Sequence, residues 1–267
     1  MARDPIPFRK LDVAPAYRVV FDTVERLIME GQLKPGDVLP TETELAERFQ
    51  INRSTLREGI RLLEQNGLVE RGAAKRLTVA VPQIVGLASQ VSRALVLHDV
   101  TFLELWEMYM AIEPVAAGLA AAKASDAALD EMEANLAEME ASVSDLSRFF
   151  ALDIEFHGMI ARAANNRALL LAREPIKTLM MPAAQAILPK LKTYDRVIAA
   201  HRLILAALRG RDEELSAHWM RKHSADFKRG YELIGLRSDE RIVDFTQAPG
   251  AQQPDAGGAA WPAARRA

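Results

Sequence analysis

The chain has 267 residues, 49% of them hydrophobic, a formal net charge of −2 and no cysteine. Disulfides, cysteine-based metal sites and cysteine nucleophiles are excluded, and at near-neutral charge any affinity for DNA must come from a local basic face. No apolar run approaches a membrane span and the N-terminus MARDPIPFRK lacks the apolar region of a signal peptide, so a cytoplasmic protein with no membrane partner is expected, on the nucleoid when bound to DNA.

This length holds one large domain or two smaller ones. Residues 1–13 read as a flexible arm. A helix is expected from about Ala14 to Glu30, with Tyr17, Val20, Val24, Leu27 and Ile28 facing inward. Pro35-Gly36 signals a turn. Residues 41–67 then read as two short helices joined by a tight turn. Thr41 and Glu44 have the spacing of a capping box, and Leu45, Ala46 and Phe49 give the first helix its apolar stripe. Gln50-Ile51-Asn52 is the turn, Asn52 can cap the second helix, and Gly67 ends it.

In the second helix Leu56, Ile60 and Leu63 share one face, while Arg53, Arg57 and Arg61 share another at i, i+4 spacing. Ser54 and Thr55 adjoin the first arginine. Arginine binds phosphate or the guanine edge bidentately, and hydroxyls bind phosphate or base, so this face suits a DNA duplex. The same stripe also fits the solvated face of an ordinary amphipathic helix. Residues 68–79 read as two short strands with Arg71, Lys75 and Arg76 around their turn, which makes a helix-turn-helix followed by a basic wing. Six basic and three acidic side chains in residues 53–76 leave a local charge of +3.

Residues 17–79 resemble the winged-helix DNA-binding domain of the GntR family of bacterial transcription regulators. The resemblance is carried by Leu33-Lys34-Pro35-Gly36-Asp37-Val38-Leu39-Pro40, Glu42, Glu44-Leu45-Ala46, Arg53-Ser54-Thr55-Leu56-Arg57-Glu58, Leu62-Leu63 and Gly67-Leu68-Val69. It implies DNA contacts from Arg53, Ser54, Thr55 and Arg57, and reach from the wing by Lys75 or Arg76. Arg61 and Thr43 belong to the same expected face, although the family often has a basic residue where Thr43 stands. The wing tip, Gly72-Ala73-Ala74-Lys75-Arg76, is less glycine-rich than is usual in the family.

Pro82 marks the expected boundary to a second domain. From 83 to about 236 the periodicity is helical, in segments 83–97, 101–124, 126–143, 145–164, 167–190, 193–209 and 212–234. Ser125, and Asn165 or Asn166, are expected caps, and Pro175, Pro182 and Pro189 are expected to break or kink the fifth segment. The Ala/Gly/Pro-rich end predicts a disordered tail. The expected domains are 1–13, an arm; 14–81, a winged helix-turn-helix with a small β-hairpin wing; 82–238, an all-α helical bundle; and 239–267, the tail. The fold class is mainly α.

The chemistry of the second domain lies in its histidines. His98 falls in a loop and His218 on a polar face. His157 follows Asp153 by four residues, on the face that carries Leu146, Phe149, Phe150 and Ile160. His201 lies in the stripe of Val197, Ile198, Leu205 and Leu208, and His223 in that of Trp219, Met220 and Phe227. One carboxylate and three imidazoles thus face one helical core. They suit a divalent ion, Zn²⁺ first, with Ni²⁺ or Mn²⁺ as alternatives; each could instead be a hydrogen-bonded core side chain.

Residues 83–236 resemble the all-helical FCD effector domain of the FadR subgroup of that family. The resemblance rests on Asp153-x-x-Phe156-His157, Asn166, His201-x-x-Ile204-Leu205-x-Ala207 and Met220-x-x-His223. It implies that Asp153, His157, His201 and His223 hold a metal and that a small carboxylate effector completes its coordination. Tyr109 stands where the family usually has an arginine. Tyr109, Glu113, Trp106, Arg148 and Asn166 are the expected effector pocket, with plain core packing as the alternative for the aromatic residues. Arg93, Arg148, Arg162, Arg173, Lys177 or Arg202 could supply a missing positive charge.

The reading favoured is a homodimeric regulator, taken as a repressor, that binds a palindromic operator in double-stranded DNA and senses a small organic acid. The alternative is a metal-dependent enzyme with an accessory DNA-binding domain. That alternative needs a general base beside the metal, and every core carboxylate or imidazole placed above is already used as a ligand.

Overall fold

The computed structural model describes residues 14–72 and 76–242. The expected arm, Lys75 at the wing tip and the tail beyond 242 lie outside them. The described residues form two compact units, and the chain passes from one to the other between Gly86 and Leu87.

The first unit contains α1 (Ala16–Met29), α2 (Glu42–Phe49), α3 (Arg53–Gln65), β1 (Val69–Arg71) and β2 (Leu77–Val79). Its core joins Val20, Phe21 and Val24 of α1 to Leu45, Ala46, Leu56, Ile60 and Leu63, and to Leu68, Val69, Leu77 and Val79 of the wing. Tyr17 is not inward as expected but 38% exposed, and Phe21 is buried in its stead. At Gly59 α1 and α3 nearly touch. A Cβ there would lie 2.8 Å from Val20 Cβ and 2.9 Å from the Tyr17 carbonyl, so only glycine fits. The Tyr17 backbone occupies that contact and its side chain is left outside.

β1 and β2 pair antiparallel, with Glu70 opposite Thr78. A third extended piece, absent from the sequence reading, flanks β2. Leu39 N–H donates to Leu77 O at 2.8 Å, and Val79 N–H donates to Asp37 O at 2.9 Å. Gly36 and Pro40 bracket it too closely for any alternation to register.

The second unit is helical. α4 (Ile84–Leu97) leads into it, followed by α5 (Phe102–Lys123), α6 (Asp126–Ala141), α7 (Leu146–Ala163), α8 (Arg167–Leu191), α9 (Tyr194–Arg209) and α10 (Glu213–Leu233). α5 packs on α7, α8, α9 and α10. Ala116, Ala117, Ala120 and Ala121 are fully buried on it, and such small side chains let neighbouring helices approach. Phe149, Phe156, Ile160, Ile204 and Leu208 fill the space around them.

Of the expected break or kink in the fifth segment, no break occurs: Pro175, Pro182 and Pro189 all sit inside α8, a single helix of 25 residues. An interior proline costs about 3 kcal/mol, and burying one large apolar side chain returns about 1.5–3 kcal/mol. Ile176, Leu179, Met180, Ile187 and Leu188 are all buried on α8, so packing is large enough to hold the helix together. Residues 239–242, assigned to the tail, are instead bonded to the start of α5. Phe102 N–H donates to Glu240 O, Ile242 N–H donates to Val100 O, and Ile242 is buried.

Candidate metal centre and DNA-binding face

α2 starts at the capping box. Glu44 N–H donates to Thr41 Oγ1 at 3.3 Å, and Thr41 N–H donates back to the Glu44 carboxylate at 2.8 Å. α3 starts at Asn52, whose Oδ1 accepts from Thr55 N–H and from the Ser54 hydroxyl, both at 2.7 Å. With Leu56, Ile60 and Leu63 buried on one side, Arg53, Ser54, Arg57 and Arg61 are exposed on the other. Thr55 is half-buried, and Thr43 and Arg76 are exposed. Arg53 and Arg61 make no ion pair among the described residues. Arg57 does: its Nε donates to Glu42 Oε2 at 2.9 Å. The other Glu42 oxygen accepts from Arg71 of β1 at 3.0 Å, and Arg71 also reaches Glu64 at 2.8 Å. The hydrogen bond from Arg57, joined by Arg71, holds the Glu42 carboxyl below its ordinary range. Sequence reasoning missed this network because Glu42 is 15 and 29 residues from its partners.

In the helical unit Asp153 and His157 come from successive turns of α7, His201 from α9 and His223 from α10. One ligand atom from each of the four lies within 4.8 Å of the others, and the group could hold a metal ion. His223 Nε2 is 3.2 Å from His157 Nε2 and 3.3 Å from His201 Nε2, and His201 Nε2 is 3.5 Å from Asp153 Oδ1. His157 Nδ1 lies 3.1 Å from the ionised carboxylate of Glu113. That carboxylate can only accept, so Nδ1 carries a proton, and in the neutral ring, the form that can ligate a metal, Nε2 presents a lone pair. His223 Nε2 cannot then satisfy both neighbours. If protonated it bonds one of them, and if not it faces the His157 lone pair. A cation resolves this crowding, since two ligands about 2.0–2.1 Å from a tetrahedral ion lie about 3.3 Å apart. His201 Nδ1 is buried with no hydrogen-bond partner, and its ring stacks on Phe156 at 4.3 Å between centroids. The donor set therefore fits a divalent ion.

The electrostatics agree. Burial, with the neighbouring imidazoles, pushes His201 well below its ordinary value and His223 down from 6.5 to about 3. Neutral imidazole is the ligating form. Burial raises Asp153. Burial would also raise Glu113, but the Arg173 charge and His157 outweigh it and the carboxyl falls below its ordinary value. The depressed His223 has a signed consequence for metal-stripped protein. The unfolded chain takes up the proton first, so the contribution of His223 to stability is fully present above 6.5 and is lost as pH drops from 6.5 toward about 3. Urea unfolding of chelator-treated protein should show lower stability at about pH 5 than at about pH 7. Equal stability would contradict a neutral buried His223.

A cavity of about 200 Å³ opens beside the cluster, and Asp153, His157 and His223 lie in its wall. Ile187, Leu188, Leu191, Val197 and Phe227 make it largely apolar. Of the five residues expected to form the effector pocket, only Tyr109 lines it. Glu113 is behind the ligands, on His157 and Arg173. Trp106 turns its indole N–H to Ser224 O at 3.2 Å. Arg148 is exposed on α7 and paired with Glu138, and Asn166 is spent capping α8 through Leu169 N–H. The cavity's cations are Arg196 and Arg229, which the sequence did not single out. Arg196 is held by both oxygens of Asp226, at 3.0 and 2.7 Å. Arg93, Arg148, Arg162, Arg173, Lys177 and Arg202 do not line the cavity.

Two family descriptions match: "Bacterial regulatory proteins, gntR family" over residues 16–79, and "FCD domain" over residues 104–226. The transcriptional regulator LutR of Bacillus subtilis is 30% identical over 155 residues, 58% of this chain and 71% of LutR. The chain belongs to the GntR family of bacterial regulators and carries an FCD domain. The Glc operon transcriptional activator of Escherichia coli is 27% identical over 85% of this GntR regulator and 93% of its own length. The transcriptional repressor NanR of Citrobacter rodentium is 23% identical over 84% and 88%. In fold, the regulator matches a Streptococcus agalactiae GntR structure with TM-score 0.57, covering 80% of this chain and 99% of that one at 23% identity. It is thus a DNA-binding transcription regulator, and the families and relatives are regulators rather than enzymes. Among the described residues no helix is long and apolar enough to cross a membrane.

Proposed function

We propose that the helical unit holds one divalent ion, Zn²⁺ before Ni²⁺ or Mn²⁺, on Asp153, His157, His201 and His223. A small organic acid binds over it from the cavity and alters the affinity of a homodimer for a palindromic operator. The observation that supports this is the shared wall: Asp153, His157 and His223 belong to the cluster of possible ligands and also line the apolar cavity. Three neutral imidazoles and one carboxylate leave a divalent site at about +1, which favours an anion. The walls fit an apolar or aromatic body, and Arg196 is already engaged by Asp226. We therefore rank an aromatic monocarboxylate ahead of a sugar acid, and both ahead of di- and tricarboxylates. Isothermal titration of metal-loaded protein should follow that order. Tighter polycarboxylate binding, lost when Arg196 or Arg229 is replaced, would reverse it. Relatives named repressor and activator both match, so operator binding with and without the acid decides the sign.

The same reading gives Arg53, Ser54, Thr55, Arg57 and Arg61 of α3, with Thr43, Lys75 and Arg76, to the duplex. Arg53→Ala and Arg57→Ala should each weaken operator binding by about 1–3 kcal/mol while the fold survives, since both side chains are exposed. Unchanged affinity of both variants at one fixed salt concentration would remove α3 from the interface.

A further inference from the structure

Glu113 of α5 and Arg173 of α8 are ionised side chains no more than 2% exposed, and neither lines the cavity. Arg173 Nε donates to Glu113 Oε1 at 2.5 Å, and Glu113 Oε2 is 3.1 Å from His157 Nδ1. A buried ion pair is seldom more stable than two apolar side chains in its place. Its use lies in what it touches. We infer that Glu113 is a positioning residue for the metal centre, fixing the tautomer and ring orientation of His157 so that Nε2 meets Asp153, His201 and His223. This rests on the proposed metal site. Arg173 acts through Glu113: it holds the carboxylate in place and cancels its charge. The ion's surroundings then count one carboxylate, Asp153, and keep the positive excess that an anionic effector needs. A carboxylate that accepts from a ligating imidazole in this way also makes the imidazole a better donor. His201, with no partner on Nδ1, has no such support.

The test is Zn²⁺ affinity of the full chain, by competition with a chromophoric chelator, in wild type, Glu113→Gln and the double variant Glu113→Leu/Arg173→Met. The double variant removes both charges together and strands neither. Its Zn²⁺ affinity should fall roughly 10–100-fold, while the metal-free protein melts no lower than wild type. Nitrogen-15 imidazole spectra of metal-free protein should show the Nδ1–H tautomer of His157 in wild type and its loss in the double variant. A merely structural pair predicts the same stability but wild-type Zn²⁺ affinity and an unchanged tautomer, which would overturn the inference alone. Absence of Zn²⁺ binding by wild type would overturn the metal reading and this inference with it. If the double variant does not fold, Glu113→Gln decides, and wild-type affinity in it overturns the inference.

Discussion

Glu113→Ala is expected to destabilise the protein by about 3–5 kcal/mol, the range for stranding one partner of a buried ion pair. The Arg173 guanidinium is 2% exposed and cannot turn to water without opening the contact between α5 and α8. Its remaining partner, Glu174, lies 3.4 Å away, too distant to replace a 2.5 Å bond. Truncation at 113 also leaves His157 Nδ1 without its acceptor, which adds the cost of an unmatched donor. Urea unfolding followed by helical circular dichroism measures the difference. A loss below about 1 kcal/mol would mean that Arg173 finds water or another carboxylate, and the pair would not be the closed one described.

A comparable effect is expected from the metal. Purified protein should carry about one ion per chain, and chelator should lower the melting temperature, because an ion at a thousand times its Kd contributes about 4 kcal/mol to the folded state. His157→Ala should lose most of the metal, since its Nε2 is the nitrogen nearest His223 and the one braced from behind. His218→Ala should lose none, as that side chain is exposed on α10. Elemental analysis of the three proteins distinguishes the cases. Equal metal in wild type and His157→Ala would remove the ligand set.

The helices were legible because each signal is local. Periodicity marked seven helical segments after residue 82, and the caps Thr41, Asn52, Ser125 and Asn166 all accept the expected backbone N–H. Asp153 and His157 could be paired from spacing alone, since i and i+4 share a helix face. Bringing His201 and His223 to them depended on apolar stripes that buried all three helices. What stayed hidden is carried by long-range pairing. Nothing near Glu113 in sequence announces Arg173, 60 residues on, and nothing near Arg57 announces Glu42. Arg148 and Asn166 look like pocket residues in a list of polar side chains, yet each is committed to a local partner. Composition could not reveal that α8 would hold three prolines, because the compensation comes from what packs against it.

The short run that returns to the start of α5 sets a limit on how the chain can be shortened. Residues 238–242 take up the Phe102 and Leu103 amides, and Ile242 closes over the cluster of Phe102, Leu105 and Tyr231. A truncation designed from composition alone, cut where alanine, glycine and proline begin to dominate, spares this run. One cut at residue 237 does not. It would bare the first turn of the helix that carries Tyr109 and Glu113, so a shortened protein made to test the proposed metal site must keep the backbone through Ile242.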